Sequence, residues 1–182
     1  MTYNKTITLK DGRECVLRNG TDKDGAEVYR TFNQTHEETD YLLSYPDENS
    51  YTPEQEAEFL KKMTESDTGI EIVAEIGGKV VACAGIEAVG TKYKVRRRAE
   101  FGISVERDYW GLGIGRALTK ACIECAEKAG FAQLELEAVA ENDRAVALYK
   151  SEGFVEFGRN PRGFCSRFTG WQESVLMRLE LD

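Results

Sequence analysis

The chain has 182 residues, of which 41% are hydrophobic and 31% charged, enough for one domain whose core needs neither disulfides nor a metal. Its 32 acidic residues against 24 basic ones leave a net charge of −8, a field that repels phosphate backbones and anionic bilayers and so predicts no nucleic-acid and no membrane partner. No apolar run approaches the roughly 18 residues a membrane helix requires; Met1 to Thr6 lacks the basic and apolar start of an export signal, which predicts cytoplasmic residence.

Taken in order, Ile7-Thr8-Leu9, a turn at Asp11-Gly12 and Glu14 to Leu17 read as a small hairpin. Thr21 and Asp22 can cap a helix to about Gln34, and Pro53 with Glu54 and Glu56 opens another through about Met63. Glu71 to Ile76 and Lys79 to Glu87 are β-rich runs joined by Gly77-Gly78, a connection that favours a primed hairpin turn. Arg98 to Val105 is a further strand, with Phe101, Ile103 and Val105 on one face and Glu100, Gly102 and Ser104 on the other.

After a glycine turn, Ile114, Ala117, Leu118, Ala121, Cys122, Cys125, Ala126 and Ala129 repeat at helical spacing until Gly130 supplies a stop. Cys122 and Cys125 therefore read as buried thiols rather than a metal or redox pair. With an odd count of five cysteines and His36 as the only histidine, neither a disulfide framework nor a metal site is expected. Leu134, Leu136 and Ala138 alternate with Glu135 and Glu137 as a strand. A helix follows from about Asn142 to Ser151, and Phe154 to Phe157 and Ser174 to Leu181 close the chain as strands. No repeat or linker divides residues 1–182, so a single domain is expected, an α/β mixed sheet with helices on both faces.

Gly111-Leu112-Gly113-Ile114-Gly115 lies between a strand and a helix, where free N–H groups and the helix dipole form an anion site with no Cβ in the way. A dinucleotide fingerprint would need glycine at Arg116, and a Walker loop would need Gly-Lys-Ser/Thr after four intervening residues; neither is present. Arg116 could add charge to a bound phosphate, while the plainer alternative is a tight turn with no ligand. In the second segment, Asn142 and Tyr149 stand two helical turns apart with Ala145 between them, a line of about 10 Å that suits an extended ligand. A tyrosine packed in the core is the alternative.

Together these segments resemble the GNAT superfamily of acetyltransferases. Asn142, Ala145, Leu148, Tyr149, Gly153 and Phe154 match Asn-x-x-Ala-x-x-Leu-Tyr-x-x-x-Gly-Phe at every named position. The Gln/Arg-x-x-Gly-x-Gly/Ala motif is met at Gly113 and Gly115, but Trp110 stands where Gln or Arg is usual. The stretch Glu100 to Val105 and the late turn Gly170-Trp171-Gln172-Glu173 are similar to the branch of ribosomal-protein alanine and spermidine or small-amine acetyltransferases. That branch usually carries Asp-Gly near the late turn and Asp three residues on, whereas Thr169 and Glu173 occupy those places here. The acceptor is therefore not carried across.

The resemblance implies a central twisted, mostly antiparallel sheet with a splayed parallel pair. It implies acetyl-CoA as co-substrate, with the pantetheine arm along Ile103, Ser104 and Val105, the pyrophosphate on the amides of Gly111, Leu112, Gly113, Ile114, Gly115 and Arg116, and a side-chain contact from Asn142. Transfer to a primary amine of a small molecule or peptide N-terminus would be direct, with Tyr149 as proton donor to the departing sulfur. Glu100 is the candidate base, since alkylamines are mostly protonated at neutral pH; a surface Glu paired with Arg96, Arg97 or Arg98 is its alternative reading. The acceptor site would lie between His36 to Tyr45 and Arg162 to Trp171. There Glu37, Glu38 and Asp40 would favour a cationic amine or form a solvated face. A non-catalytic acyl-CoA sensor is the competing function, and a homodimer is left open.

Overall fold

The computed structural model describes residues 1–181. Strands β1 (Asn4–Thr8) and β2 (Glu14–Asn19) form the opening hairpin, followed by helices α1 (Gly25–Glu38) and α2 (Pro53–Glu65). Strands β3 (Ile70–Ile76), β4 (Lys79–Ala88) and β5 (Arg98–Val105) precede α3 (Ile114–Lys128), β6 (Gln133–Val139), α4 (Asp143–Ser151), β7 (Val155–Ser166) and β8 (Gly170–Glu180). They make one eight-stranded sheet in the order β1-β2-β3-β4-β5-β6-β8-β7.

Every neighbouring pair is antiparallel except β5 and β6. These two run parallel and pair only from Arg98 against Gln133 to Glu100 against Glu135. Beyond that point β5 stays with β4 as far as Val105, and β6 stays with β8 as far as Val139. The sheet therefore opens along the second half of β5.

Two apolar clusters seat the helices on opposite faces. Ile72, Ala84, Ile86, Ala99 and Phe101 pack with Leu118, Ala121, Cys122 and Cys125 of α3 and with Val146 and Tyr149 of α4. Leu118 and Cys122 are fully inaccessible, and truncating such a leucine costs about 2–5 kcal/mol. On the other face Val73, Val80 and Cys83 pack under Val28 of α1 and Leu60 of α2. Because side chains alternate along a strand, β3 and β4 each serve both layers, whereas the apolar residues of β5 serve the first.

The apolar periodicities place the elements close to where they are expected, with several differences. The first strand is Asn4–Thr8 rather than Ile7 to Leu9, and Thr21 caps a short 3-10 turn, Asp22–Asp24, after which α1 begins at Gly25. Helix α1 runs to Glu38 rather than Gln34, because Thr35 and His36 turn inward and are buried. The closing strands are far longer than Phe154–Phe157 and Ser174–Leu181 suggest. Gly170 to Glu173 lies in β8 rather than in a turn, and the reversal falls at residues 167–169. The intervening Arg159-Asn160-Pro161-Arg162-Gly163 carries no strand signal, yet Arg159 and Asn160 pair with Val175 and Ser174, and pairing resumes at Phe164 after a register shift that takes up Pro161 to Gly163.

Candidate active site

The opening between β5 and β6 is the mouth of a cleft of about 1030 Å³, lined by Gly102 to Val105, the Trp110 to Arg116 segment and the Asn142 to Tyr149 segment. Its β5 wall is main chain. The Glu106 N–H donates to Val81 O on β4 at 3.0 Å, whereas Val105 O accepts from the Trp110 indole N–H at 2.7 Å. Main-chain groups of alternate residues share an edge, so those of Ile103 face the opening as Val105 does.

At the end of the cleft Gly113 is the N-cap of α3, with φ +102, and Gly111 has φ +79. Both lie in the left-handed region that favours glycine. A Cβ built at either position meets no heavy atom within 4 Å, so the turn is open to a ligand and does not serve to pack the chain. The first N–H groups of the fifteen-residue α3 point into that space with the positive end of its dipole. Leu112 is fixed from below, its carbonyl accepting from Lys10 N–H at 3.2 Å. Gly115 serves packing, since its Cβ position lies 3.4 Å from Leu148 Cδ2 on α4.

Trp110 has a structural task of its own. Besides holding Val105, its ring lies 4.1 Å below the Arg144 guanidinium, a cation–π contact that couples the glycine turn to the start of α4. Arg116, by contrast, leans to the end of α4, donating to Ser151 Oγ at 3.0 Å and pairing with Glu152 at 3.4 Å. Asn142 is the N-cap of α4 rather than its first residue, and its Oδ1 accepts from Ala145 N–H at 3.3 Å. The side-chain NH₂ remains for the cleft.

Tyr149 is 7% exposed and lines the same cleft. Its ring stands edge-on to Phe101 with centroids 6.1 Å apart. Burial alone pushes its pKa up to about 12, so the hydroxyl keeps its proton at neutral pH. Glu100 lies on the opposite side of β5, exposed and reaching both this cleft and a neighbouring one. The arginines that could have neutralised it are engaged elsewhere: Arg98 forks onto Glu135, Arg96 stacks on Tyr93 and Arg97 donates to Gly130 O.

The candidate acceptor segments come together as expected, but of their acids Asp40 and Glu38 are structural, and Glu37 is exposed. Asp40 accepts from Tyr45 Oη at 2.9 Å, Ser166 Oγ at 2.6 Å and Gln172 Nε2 at 3.2 Å, tying the loop after α1 to the β7–β8 hairpin. Glu38 receives the Arg107 N–H at 2.7 Å. His36 stacks on Phe32 at 3.7 Å and donates Nδ1–H to Phe32 O at 2.7 Å; burial lowers its pKa, leaving a neutral ring. The carboxylates sequence reasoning missed are Glu56 and Glu71, which line the neighbouring cleft. Nothing but an acid inside the apolar run Ile70-Glu71-Ile72-Val73-Ala74 could have signalled them.

Both the sequence and the fold match known proteins. Residues 28–154 match the Acetyltransferase (GNAT) family. The chain belongs to this family. It is 40% identical over 82 residues to the [ribosomal protein bS18]-alanine N-acetyltransferase of Escherichia coli strain K12, a match covering 45% of this chain and 55% of the relative. The chain thus spans about half the length of the curated relatives it matches. A GNAT-family acetyltransferase from Streptococcus pneumoniae superposes with TM-score 0.88 at 30% identity, covering 92% of this chain and 99% of that one. A putative acetyltransferase from Salmonella typhimurium, solved with its cofactor acetyl-CoA, shares the fold at TM-score 0.82 and 20% identity, covering 92% of this chain and 94% of its own.

Proposed function

We propose that the 182 residues form one acetyltransferase domain that moves the acetyl group of acetyl-CoA to a primary amine of a small molecule or peptide N-terminus, directly and in a ternary complex. The observation that carries this reading is the continuity of one cleft from the open edge of β5 to the Gly111 and Gly113 turn, with Tyr149 on its wall. An extended ligand ending in a pyrophosphate fits such a trench: an edge strand for its amides and a helix N-terminus for its phosphates.

When bound, acetyl-CoA supplies an acetyl thioester whose carbonyl carbon accepts the amine nitrogen and whose sulfur leaves with the electron pair. Ile103 holds the arm by its free main-chain groups, and the amides of Gly111 to Arg116 hold the pyrophosphate. Asn142 contributes its amide NH₂. Glu100 takes a proton from the incoming ammonium, directly or through one water, which frees the nitrogen lone pair. Tyr149 Oη keeps its proton until the sulfur departs, then supplies it and is restored by the second proton, which the acylated nitrogen loses as it becomes the amide. None of the five cysteines is needed as a nucleophile: Cys15, Cys83, Cys122 and Cys125 are buried, and burial raises the pKa of each.

Melting curves with and without acetyl-CoA test the binding half of the proposal, since a ligand at about 100 times its Kd adds about 2.7 kcal/mol. A screen of small amines and N-terminal peptides for CoA release tests the transfer. Binding with no release across the screen would favour the sensor reading. For Glu100→Gln, activity is expected to fall most near neutral pH and to recover in part as alkaline pH deprotonates the free amine. A pH–rate profile parallel to wild type would make Glu100 a positioning residue.

A further inference from the structure

The face of the sheet under α1 and α2 carries the second cleft, about 620 Å³, lined by five glutamates and by no lysine or arginine. It joins the first cleft along Glu100 to Ser104. Elsewhere the chain neutralises its buried carboxylates. Glu106, 3% exposed, receives Arg30 at 2.6 Å and Lys79 at 2.7 Å, and Asp24 receives Arg18 at 2.8 Å.

In this cleft Glu48 pairs with Arg167 at 3.4 Å, but the deeper carboxyl groups have no such partner. Glu56, 9% exposed on α2, is influenced by burial alone, and the one charge acting on Glu71 is Glu56. Glu87 and Glu100 stand directly opposite each other across β4 and β5, a like-charge pairing that destabilises a sheet. Four carboxyl groups converge on this cleft from α2, β3, β4 and β5; the two deep ones, Glu56 and Glu71, have no cation, and burial disfavours their charged form until a positive charge enters from outside the chain. Among the described residues no group of three or more His, Cys, Asp or Glu side chains is placed to hold a metal ion. The walls are Phe32, Tyr51, Phe59 and Met63, suited to an alkyl chain and to cation–π contact.

The floor gives the ligand its direction. Glu71, Gly85 and Gly102 lie side by side across β3, β4 and β5. Glu71 Oε2 reaches to 2.1 Å from where a Gly85 Cβ would stand, and a Cβ on Gly102 would meet nothing within 4 Å. The Glu71 carboxylate thus lies over Gly85, and bare main chain continues from it to the open edge of β5. One to two strand spacings, about 5–10 Å, separate them.

Resting on the acetyl-transfer reading, we propose that the acceptor is a linear dication: a primary amine joined by a short alkyl chain to a second ammonium. The second ammonium sits between Glu56 and Glu71, the chain runs over Gly85 and Gly102, and the reactive nitrogen arrives beside Glu100 at the β5 opening.

The test compares diaminobutane with butylamine, which has the same four-carbon chain and a hydrogen in place of the second ammonium. Calorimetric binding to the CoA complex and steady-state CoA release are measured for wild type, Glu71→Gln and Glu56→Gln, with acetyl-CoA affinity as the check on folding. Wild type is expected to bind diaminobutane at least about tenfold more tightly than butylamine, with a matching ratio in kcat/KM, and each variant to shrink both ratios. Equal affinity for the two amines in wild type, or ratios unchanged in both variants, would overturn the dication site while leaving acetyl transfer standing. Selective binding of diaminobutane with no CoA release from either amine would uphold the site and overturn the transfer reading.

Discussion

Where the first cleft is walled by main chain, at the edge of β5 and the Gly111 to Gly115 turn, the second, which we propose takes the acceptor, is walled by side chains from α1, α2, β3, β4 and β5. On the proposed reading, the first would recognise atoms of the cofactor through N–H groups that every residue has and glycine leaves uncovered. The second presents unpaired carboxylates and aromatic rings, which a substitution can change without touching the backbone. A shared cofactor with a divergent acceptor follows from that difference in material, and each half can be broken separately.

The largest effect is expected from Gly113→Asp. It places a carboxylate at the N-terminus of α3 and forces a non-glycine residue to φ +102, a strain of about 1–2 kcal/mol. Acetyl-CoA should bind at least about 100-fold more weakly, roughly 2.7 kcal/mol, by calorimetry, while circular dichroism shows a folded chain. Retained affinity would remove the glycine turn from the cofactor site.

Next comes Tyr149→Phe, which keeps the ring contact with Phe101 and Phe154 and deletes the hydroxyl. Turnover should fall by roughly 10²-fold with acetyl-CoA affinity held, the scale for losing a positioned proton donor. An unchanged kcat would leave this tyrosine a packing residue.

Gly85→Ala probes the other cleft alone. Its Cβ would press on Glu71 Oε2 at 2.1 Å and on Ile70 O at 3.1 Å, an overpacking that costs about 1–3 kcal/mol. The KM for the amine should rise several-fold while the Kd for acetyl-CoA stays put. A matched loss of both would show that the two clefts are not independent.

The smallest effect concerns stability. Burial, with Glu56 beside it, pushes the Glu71 pKa up to about 8, above the value near 4.3 expected in the unfolded chain. Between those values the folded state binds more protons, so Glu71 makes the protein less stable as pH rises from about 4.3 to 8. Glu71→Gln should therefore raise Tm by a few degrees at pH 8 and by little at pH 4. Equal shifts at both pH values would show that Glu71 is already ionised and compensated in the fold.

The same contrast of main chain against side chain governs what could be read in the linear sequence. Periodicities of two and of three to four locate β3 to β6, α3 and α4 within a residue or two. The Asn142 to Phe154 and Gly111 to Gly115 segments are legible because a backbone site and the helix beside it are continuous in the chain. Trp110 looked like a flaw in that pattern, and the structure gives it work on Val105 and Arg144. The far halves of β7 and β8 were hidden because strand pairing, not local propensity, extends them through a Pro-Gly stretch.

By itself, then, the sequence determined the layered α/β class, the glycine turn and the helix that carries Tyr149, because short-range spacing encodes each of them. Only the tertiary structure decided that β5 and β6 part after Glu100 and Glu135, that Asp40 and Glu38 are consumed in tethering loops, and that Glu56 and Glu71 share one pocket with Glu87 and Glu100. Those four glutamates come from α2, β3, β4 and β5. No spacing along the chain brings them together; the register of the sheet and the seating of α2 upon it do.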